Sequence, residues 1–520
     1  MKCYMFTDSL GWRMNFGNNR NKALGIDAIY QLTDSGVKVL SGLIFYVVIV
    51  RMFNASSVGA IALFLAILGL FNIVFSLGFG SAAQHFTSFY LGRGDYVSAA
   101  KVFYKLIKYG FAISIAGFIV LFSLGQFLAV VFLHSSSYTE LVRLLSIVLL
   151  GYLLFTILNG TLLGLQYFKL SASVNIVIWG FYYFGSLVIV FFNHSLYSLI
   201  AGWSIGIFMG VVLELILTLR FLSHFKGEPN ILSGQVMLKY SLPVLFSGLI
   251  SYGAAYSDRF VVAGLLNLSS LGVYNFALLV SSAIGFIAAP FNNILMAKFS
   301  ESFGRGEKDA IAVNVRTSSL LLTSFYVPLA LGIAALSPVI LDLLGGSIYV
   351  AGSFALSIIM FFSSFFIAQN ILTQAIASVK RTSVFLYSST AALGSNVILS
   401  LILIPHLGLI GAALGYSSVA AVTFSILYFY ARREGIVYFD SSGTLKVWLS
   451  AFVMFLIVHA SLKELGTSLY LLPVYIVVGV LIYVSMAKVL KFFKREDKET
   501  VLSMFPTKYK RLRTILHLIF

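Results

Sequence analysis

Apolar blocks of roughly 20 residues or more, parted by short polar connections, run through this chain from end to end, and few folds accept that pattern. At 1.5 Å of rise per residue, a helix of about 20 residues crosses a ~30 Å hydrocarbon core. No water reaches the backbone there, so each crossing must close its own hydrogen bonds as a helix. The ten-residue alternation of an outer-membrane barrel strand is absent. Charged residues make up 10% of the chain, against about 25% in ordinary soluble proteins. The pattern predicts an all-α polytopic membrane protein.

Fourteen spans are expected, near 36–53, 58–91, 103–132, 141–165, 170–192, 197–222, 239–266, 271–300, 313–344, 348–378, 383–404, 408–431, 446–462 and 469–490. Placing alternate connections on alternate sides puts 31 of the 35 Lys and Arg on one side, and only Arg51, Arg143, Arg259 and Lys463 elsewhere. Positive residues mark the cytoplasmic face, so both termini are expected there, in a plasma membrane. The net charge of +17 is thus a matter of topology and gives no reason to expect a nucleic-acid partner. The first 35 residues lack the apolar core and cleavage site of a removable signal peptide.

The chain also repeats itself. Ser56–Gly59 reads SSVG and is followed by an apolar run closing in GRGD at Gly92–Asp95; SSLG at Ser269–Gly272 and GRGE at Gly304–Glu307 echo it about 212 residues later. Asn159 with Lys169 is matched by Asn370 with Lys380, and His194 by His406. An even number of spans per repeat gives parallel halves. The expected organisation is a cytoplasmic segment 1–35, a first half 36–222, a cytoplasmic linker 223–238, a second half 239–432, two added spans in 433–490 and a basic cytoplasmic tail 491–520. Within the repeats, Gly78-Phe79-Gly80 falls opposite Pro290-Phe291-Asn292, and Gly78, Gly80 and Pro290 are expected to bend or gate their helices. Matched interruptions in two halves point to a transport site.

Catalytic chemistry finds no support. Cys3 is the only cysteine, and zinc spacings, a phosphate-cradling P-loop and a paired-carboxylate pocket are missing. No metal, cofactor or catalytic residue is expected, and the chain is read as a non-enzyme.

Those motifs, with the opening Tyr240-Ser241-Leu242-Pro243 of the seventh span and Asp258 within it, resemble the MOP flippase superfamily, most closely its polysaccharide transporter branch, the O-antigen and lipid-linked oligosaccharide flippases. The resemblance implies two six-helix lobes around a central cavity. It also implies alternating access that moves a polyprenyl-linked oligosaccharide from the cytoplasmic to the outer leaflet while its tail stays in the lipid. Glycan-assembly proteins, membrane lipids and a coupling Na⁺ or H⁺ are the partners it suggests. A cation-coupled multidrug exporter and a membrane-embedded glycan-assembly enzyme are the rival readings.

Charge inside a span is costly, by about 2.5–3.5 kcal/mol on insertion scales, which makes Arg259 the leading candidate for substrate binding. Tyr252, Tyr256 and Arg259 fall on one helix face and could offer aromatic rings to sugar and a guanidinium to diphosphate. An interfacial anchor with an aromatic belt is the other reading of the same stripe. Asp258 is the candidate for the coupling ion; Arg51, Gln84, His85, Asn292 and Asn293 complete the expected substrate-binding set.

Overall fold

The computed structural model describes residues 20–222, 234–379, 381, 383–438 and 440–491, and of 20–28, 234, 286–290, 293–294 and 297 the backbone alone. Among the described residues the fold is all-α. Its helices are α1 Arg20–Met52, α2 Ala55–Ser76, α3 Phe79–Gly92, α4 Tyr96–Leu133, α5 Thr139–Gly164, α6 Phe168–Gly180, α7 Ser186–Phe192, α8 Leu196–Leu222, α9 Gly234–Leu265, α10 Leu268–Ser282, α11 Gly285–Gly304, α12 Lys308–Ala335, α13 Ser337–Gly345, α14 Ser353–Ser363, α15 Phe366–Ser378, α16 Ser383–Leu407, α17 Leu409–Arg433, α18 Ser441–Leu465 and α19 Leu472–Leu490. A π-helical turn, Phe181–Gly185, joins α6 to α7.

Twelve helical stretches among the described residues are long and apolar enough to cross a bilayer. The expected spans 239–266 and 271–300 fall short of that test. The 32-residue α9 is long enough but rich in Ser, Tyr and Gly and carries Asp258 and Arg259, while α10 has 15 residues. The basic stretch after Asp95, expected as a connection, is helical from Tyr96, so Lys101, Lys105 and Lys108 ride on the first turns of the 38-residue α4. The expected linker over 223–233 and the tail from 492 lie outside the described residues, as does the chain before Arg20.

Among the described residues the chain packs as two compact units, one gathering 20–42, Phe75–Phe118 and Ile147–Leu242, the other gathering Leu43–Val74, Ile119–Ser146 and 243–491. In the first unit, α3 turns Phe79, Ala82, Ala83, Phe86 and Tyr90 against Ala99, Val102 and Leu106 of α4, with Ile157 and Met237 completing the core. The helix ahead of it is interrupted at Leu77 and Gly78, both with positive φ, at 46° and 70°. A Cβ on Gly78 would lie 2.8 Å from the Ser241 carbonyl oxygen.

In the second unit, lipid supplies no hydrophobic drive between helices, and small residues let backbones close on one another. The two serine-glycine motifs use that rule together. Asn54 Oδ1 accepts the Ser57 N–H at 2.8 Å and Asn267 Oδ1 accepts the Ser270 N–H at 2.8 Å, so α2 and α10 start with the same cap. One turn later the helices meet glycine to glycine. A Cβ on Gly59 would fall 1.8 Å from the Leu268 carbonyl oxygen, and one on Gly272 2.0 Å from that of Ala55. In the same unit the last two helices dock on α12 through Val327, Leu331, Val447, Ala451, Met454 and Tyr475, with Arg316 and Asp440 paired at 3.0 Å.

The two glycine-arginine-glycine motifs close helices in the same way. Gly94 and Gly306 take φ of 74° and 76°, and Asp95 and Glu307 N–H groups return to the carbonyls of Tyr90 and Ser302 at 3.0 Å each. The motif is a left-handed helix stop, written twice.

Candidate functional site

The i, i+4, i+7 spacing on α9 becomes a column of three stacked groups. The rings of Tyr252 and Tyr256 lie 4.4 Å apart and 10° from parallel, and the Arg259 guanidinium sits 4.3 Å from the Tyr256 centroid. A desolvated cation over an aromatic face gains up to about 2 kcal/mol, which offsets part of the cost of placing the charge there. At the foot of the column the Tyr252 hydroxyl donates to the Ala66 carbonyl at 2.7 Å. Gly69 makes room for it, since a Cβ there would lie 2.4 Å from the hydroxyl oxygen.

At the head of the column Arg259 Nη1 donates to the Ala255 carbonyl at 2.7 Å and Nε to Asn275 Oδ1 at 3.2 Å. Asp258 is completely buried and lies a loose 3.5 Å from Nη1. Its other oxygen accepts from the Tyr274 hydroxyl at 2.7 Å. The carboxylate expected to hold a coupling ion is thus engaged by an arginine and a tyrosine. Among the described residues nothing meets Arg259 Nη2, so one face of the planar fork keeps a donor for a ligand oxygen. An arginine held this way can recognise a phosphate oxygen, while Tyr256 is itself stacked between Tyr252 and the guanidinium.

Sequence reasoning missed Tyr274 and Asn275. Both lie 16 residues after the groups they serve, on the next helix, and only the rotation of α10 brings them round. The signal that could have found them was two polar residues in the otherwise apolar VYNFALL run.

The remaining candidates sit apart from the column. Arg51, at the last turn of α1, donates through Nε to the Leu344 carbonyl at 3.1 Å and through Nη2 to that of Leu343, meeting the bare end of α13 where a cation is favoured. In the first unit, Gln84 is exposed and His85 stacks on Tyr240 at 4.5 Å, with Gly80 next to Thr156. In the second, Asn292 is half-buried, and the Asn293 and Pro290 side chains lie outside the described residues. The helix of the second repeat is interrupted at Ala283 and Ile284, and α11 runs through position 290. Among the described residues no cluster of His, Cys, Asp and Glu could hold a metal ion. A separate cavity of about 320 Å³ in the second unit is walled by Phe365, Phe424, Tyr428 and Trp448, with Thr323 and Ser364 also lining it.

Residues 48–354 match the family model described as polysaccharide biosynthesis protein. The chain is 23% identical over 375 residues to an uncharacterized membrane protein of Methanocaldococcus jannaschii, a match covering 68% of this chain and 74% of that protein. The lipid II flippase MurJ in an inward closed conformation superposes with a TM-score of 0.71 at 17% identity, over 89% of this chain and 98% of MurJ. An inward-facing multidrug resistance MATE family transporter of the MOP superfamily gives 0.58 at 15% identity, over 76% of this chain and 94% of the transporter. With the helical architecture and the repeated motifs, these matches settle its kinship: the chain belongs to the polysaccharide biosynthesis protein family and is a multi-pass membrane protein with the fold shared by MurJ and the MATE transporter.

Proposed function

We propose that this transporter carries a polyprenyl-linked oligosaccharide from the cytoplasmic to the outer leaflet of the plasma membrane by alternating access of two six-helix lobes, 36–222 and 239–432, with both termini in the cytoplasm. The observation that carries the substrate class is the Arg259 fork, stacked on Tyr256 and left with a free donor while Asp258 is already occupied by Tyr274 and Arg259. A binding wall of that kind suits an anionic diphosphate; an exporter of organic cations needs an unengaged carboxylate. Membership of a polysaccharide biosynthesis family supports the same choice. Gln84, His85, Asn292 and Asn293 are assigned to the cytoplasmic approach to the site. The glycan-assembly machinery of the membrane supplies and consumes the cargo.

Proteoliposomes loaded with polyprenyl diphosphate sugars test this reading, with headgroup exposure followed by an added glycan-modifying enzyme. Wild-type protein is expected to bring headgroups across. Arg259→Lys, which keeps a cation beside the buried Asp258 but loses the planar fork, is expected to insert normally and lose at least about tenfold in rate, the effect of one charge-assisted contact worth ~1.5–3 kcal/mol. Transport of a fluorescent organic cation with no movement of the sugar lipid would replace this reading with the exporter.

A further inference from the structure

The duplication lets one helix be compared with its own copy. α4 and α12 each follow a glycine-arginine-glycine stop, and they correspond residue for residue at an offset of about 212. One face is buried in the same register on both: Phe103 with Val315, and Ser114 with Tyr326. A second face differs. Leu320, Ser324 and Val327 of α12 are buried because α18 and α19 lie on them. The Tyr483 hydroxyl donates to the Ser324 carbonyl at 2.7 Å, and a Cβ on Gly443 would stand 3.0 Å from Leu320 Cδ1. Their counterparts on α4, Lys108, Ala112 and Ile115, are all exposed.

The charge changes along with the cover. Lys101 and Lys108 are exposed two turns apart on α4, with Tyr104 and Tyr109 exposed beside them, whereas α12 has Val313 and Leu320 at the lysine positions. Lys105 is half-buried and already engaged. No carboxylate of α4 answers the two lysines, since Tyr96–Leu133 contains neither Asp nor Glu, and Asp95 ahead of it is used in capping Ser98. On α12, by contrast, Arg316 meets Asp440 at the start of α18 at 3.0 Å.

Depth in the bilayer follows from the rise of the helix. The apolar stretch from Phe111 to Leu133 is long enough at 1.5 Å per residue to cross the ~30 Å hydrocarbon core. Lys108 comes about 5 Å and Lys101 about 15 Å before Phe111 along the axis, at headgroup level and just beyond it, where a long side chain still reaches back. Tyrosines at this level are interfacial residues. A covering pair of helices would have to bring its own carboxylates to this face; a leaflet of acidic lipid supplies the anions without them.

We infer that α4 binds an anionic phospholipid of the adjoining leaflet, its phosphate between Lys101 and Lys108 and an acyl chain along Ala112 and Ile115, in the place that α18 and α19 take on α12. The phosphate oxygens accept from both ammonium groups, and the chain covers the apolar steps above them. The inference rests neither on the cargo nor on which leaflet is cytoplasmic.

The test needs no transport. Full-length protein carrying Cys3→Ser and a bimane on Ala112→Cys is reconstituted in phosphatidylcholine vesicles, and quenching by lipids with brominated acyl chains reports what lies on this face. Ile115→Cys gives a second position for the label. Brominated phosphatidylglycerol is expected to quench at least about fivefold more effectively, mole for mole, than brominated phosphatidylcholine, on the basis of roughly fivefold per lysine near an acidic lipid surface. Lys101→Gln with Lys108→Gln should make the two lipids equal, and Lys101→Arg with Lys108→Arg should keep the preference. Equal quenching with both lysines in place, or a preference that survives the glutamine pair, overturns the inference. So does a label that neither lipid reaches, which would mean that a second copy of this chain covers the face. Loss of the phosphatidylglycerol quenching on adding a trace of polyprenyl diphosphate sugar would give the site to the cargo instead. The sugar-lipid reading keeps its own assay whichever result is found.

Discussion

Asp258 and Arg259 are adjacent in sequence, yet each is held mainly by other residues, Tyr274 on one side and Tyr256, Asn275 and Ala255 on the other. A buried pair of this kind is most sensitive to losing one member, because the survivor keeps its charge. Asp258→Ala is expected to lower unfolding stability in detergent by about 3–5 kcal/mol, and the double variant Asp258→Leu with Arg259→Met to recover part of it. No recovery would show that the acid matters through Tyr274 alone. At the other extreme of exposure, Asp95 caps α4 by accepting the Ser98 N–H at 2.9 Å, and the Ser98 hydroxyl and N–H hold its carboxyl below the ordinary range. The sign follows from that direction. The cap contributes above the unfolded carboxyl's range and fades as pH falls through the lower folded value. Asp95→Ala should therefore reduce thermal stability equally at neutral and mildly alkaline pH, with the difference from wild type closing only in strong acid.

The spans were legible as elements because each needs an apolar block, and the helix stops because Gly94 and Gly306 stand where φ must be positive. Other features left weaker marks. The Asn54 and Asn267 triplets have the form of glycan acceptors, but their side chains are spent on capping α2 and α10. The break at Ala283 and Ile284 carries neither glycine nor proline at either position, whereas Pro290 sits in a helix that accepts it. Asp34 stands in the polar stretch Gln31–Lys38 and Asn175 just after Ser171 and Ser173, and no period reveals which helices will turn them toward each other. The crossing of α2 on α10 was half legible: both glycines were visible as repeats, but not that they touch. Gly59→Leu should force that crossing apart, since its first carbon would fall 1.8 Å from a backbone oxygen, and a loss of at least ~1–3 kcal/mol is expected in thermal unfolding. An unchanged melting temperature would mean the two helices can separate freely.

For the whole molecule, the distribution of Lys and Arg argues for cytoplasmic termini, and the chain carries its own probe in Cys3, its only thiol. A membrane-impermeant maleimide should leave intact cells unlabelled and react in inverted vesicles; the reverse would invert every span. The crossing of α2 and α10 bears on the history of the duplicated chain. Once the two copies lay side by side, each glycine became the environment of the other. A larger residue gained by one copy can normally be offset by a smaller residue in its neighbour, but nothing is smaller than glycine. Drift at positions 59 and 272 thus has no second-site remedy, and two sequences free to diverge nearly everywhere else stay bound to a common letter at the point where they meet.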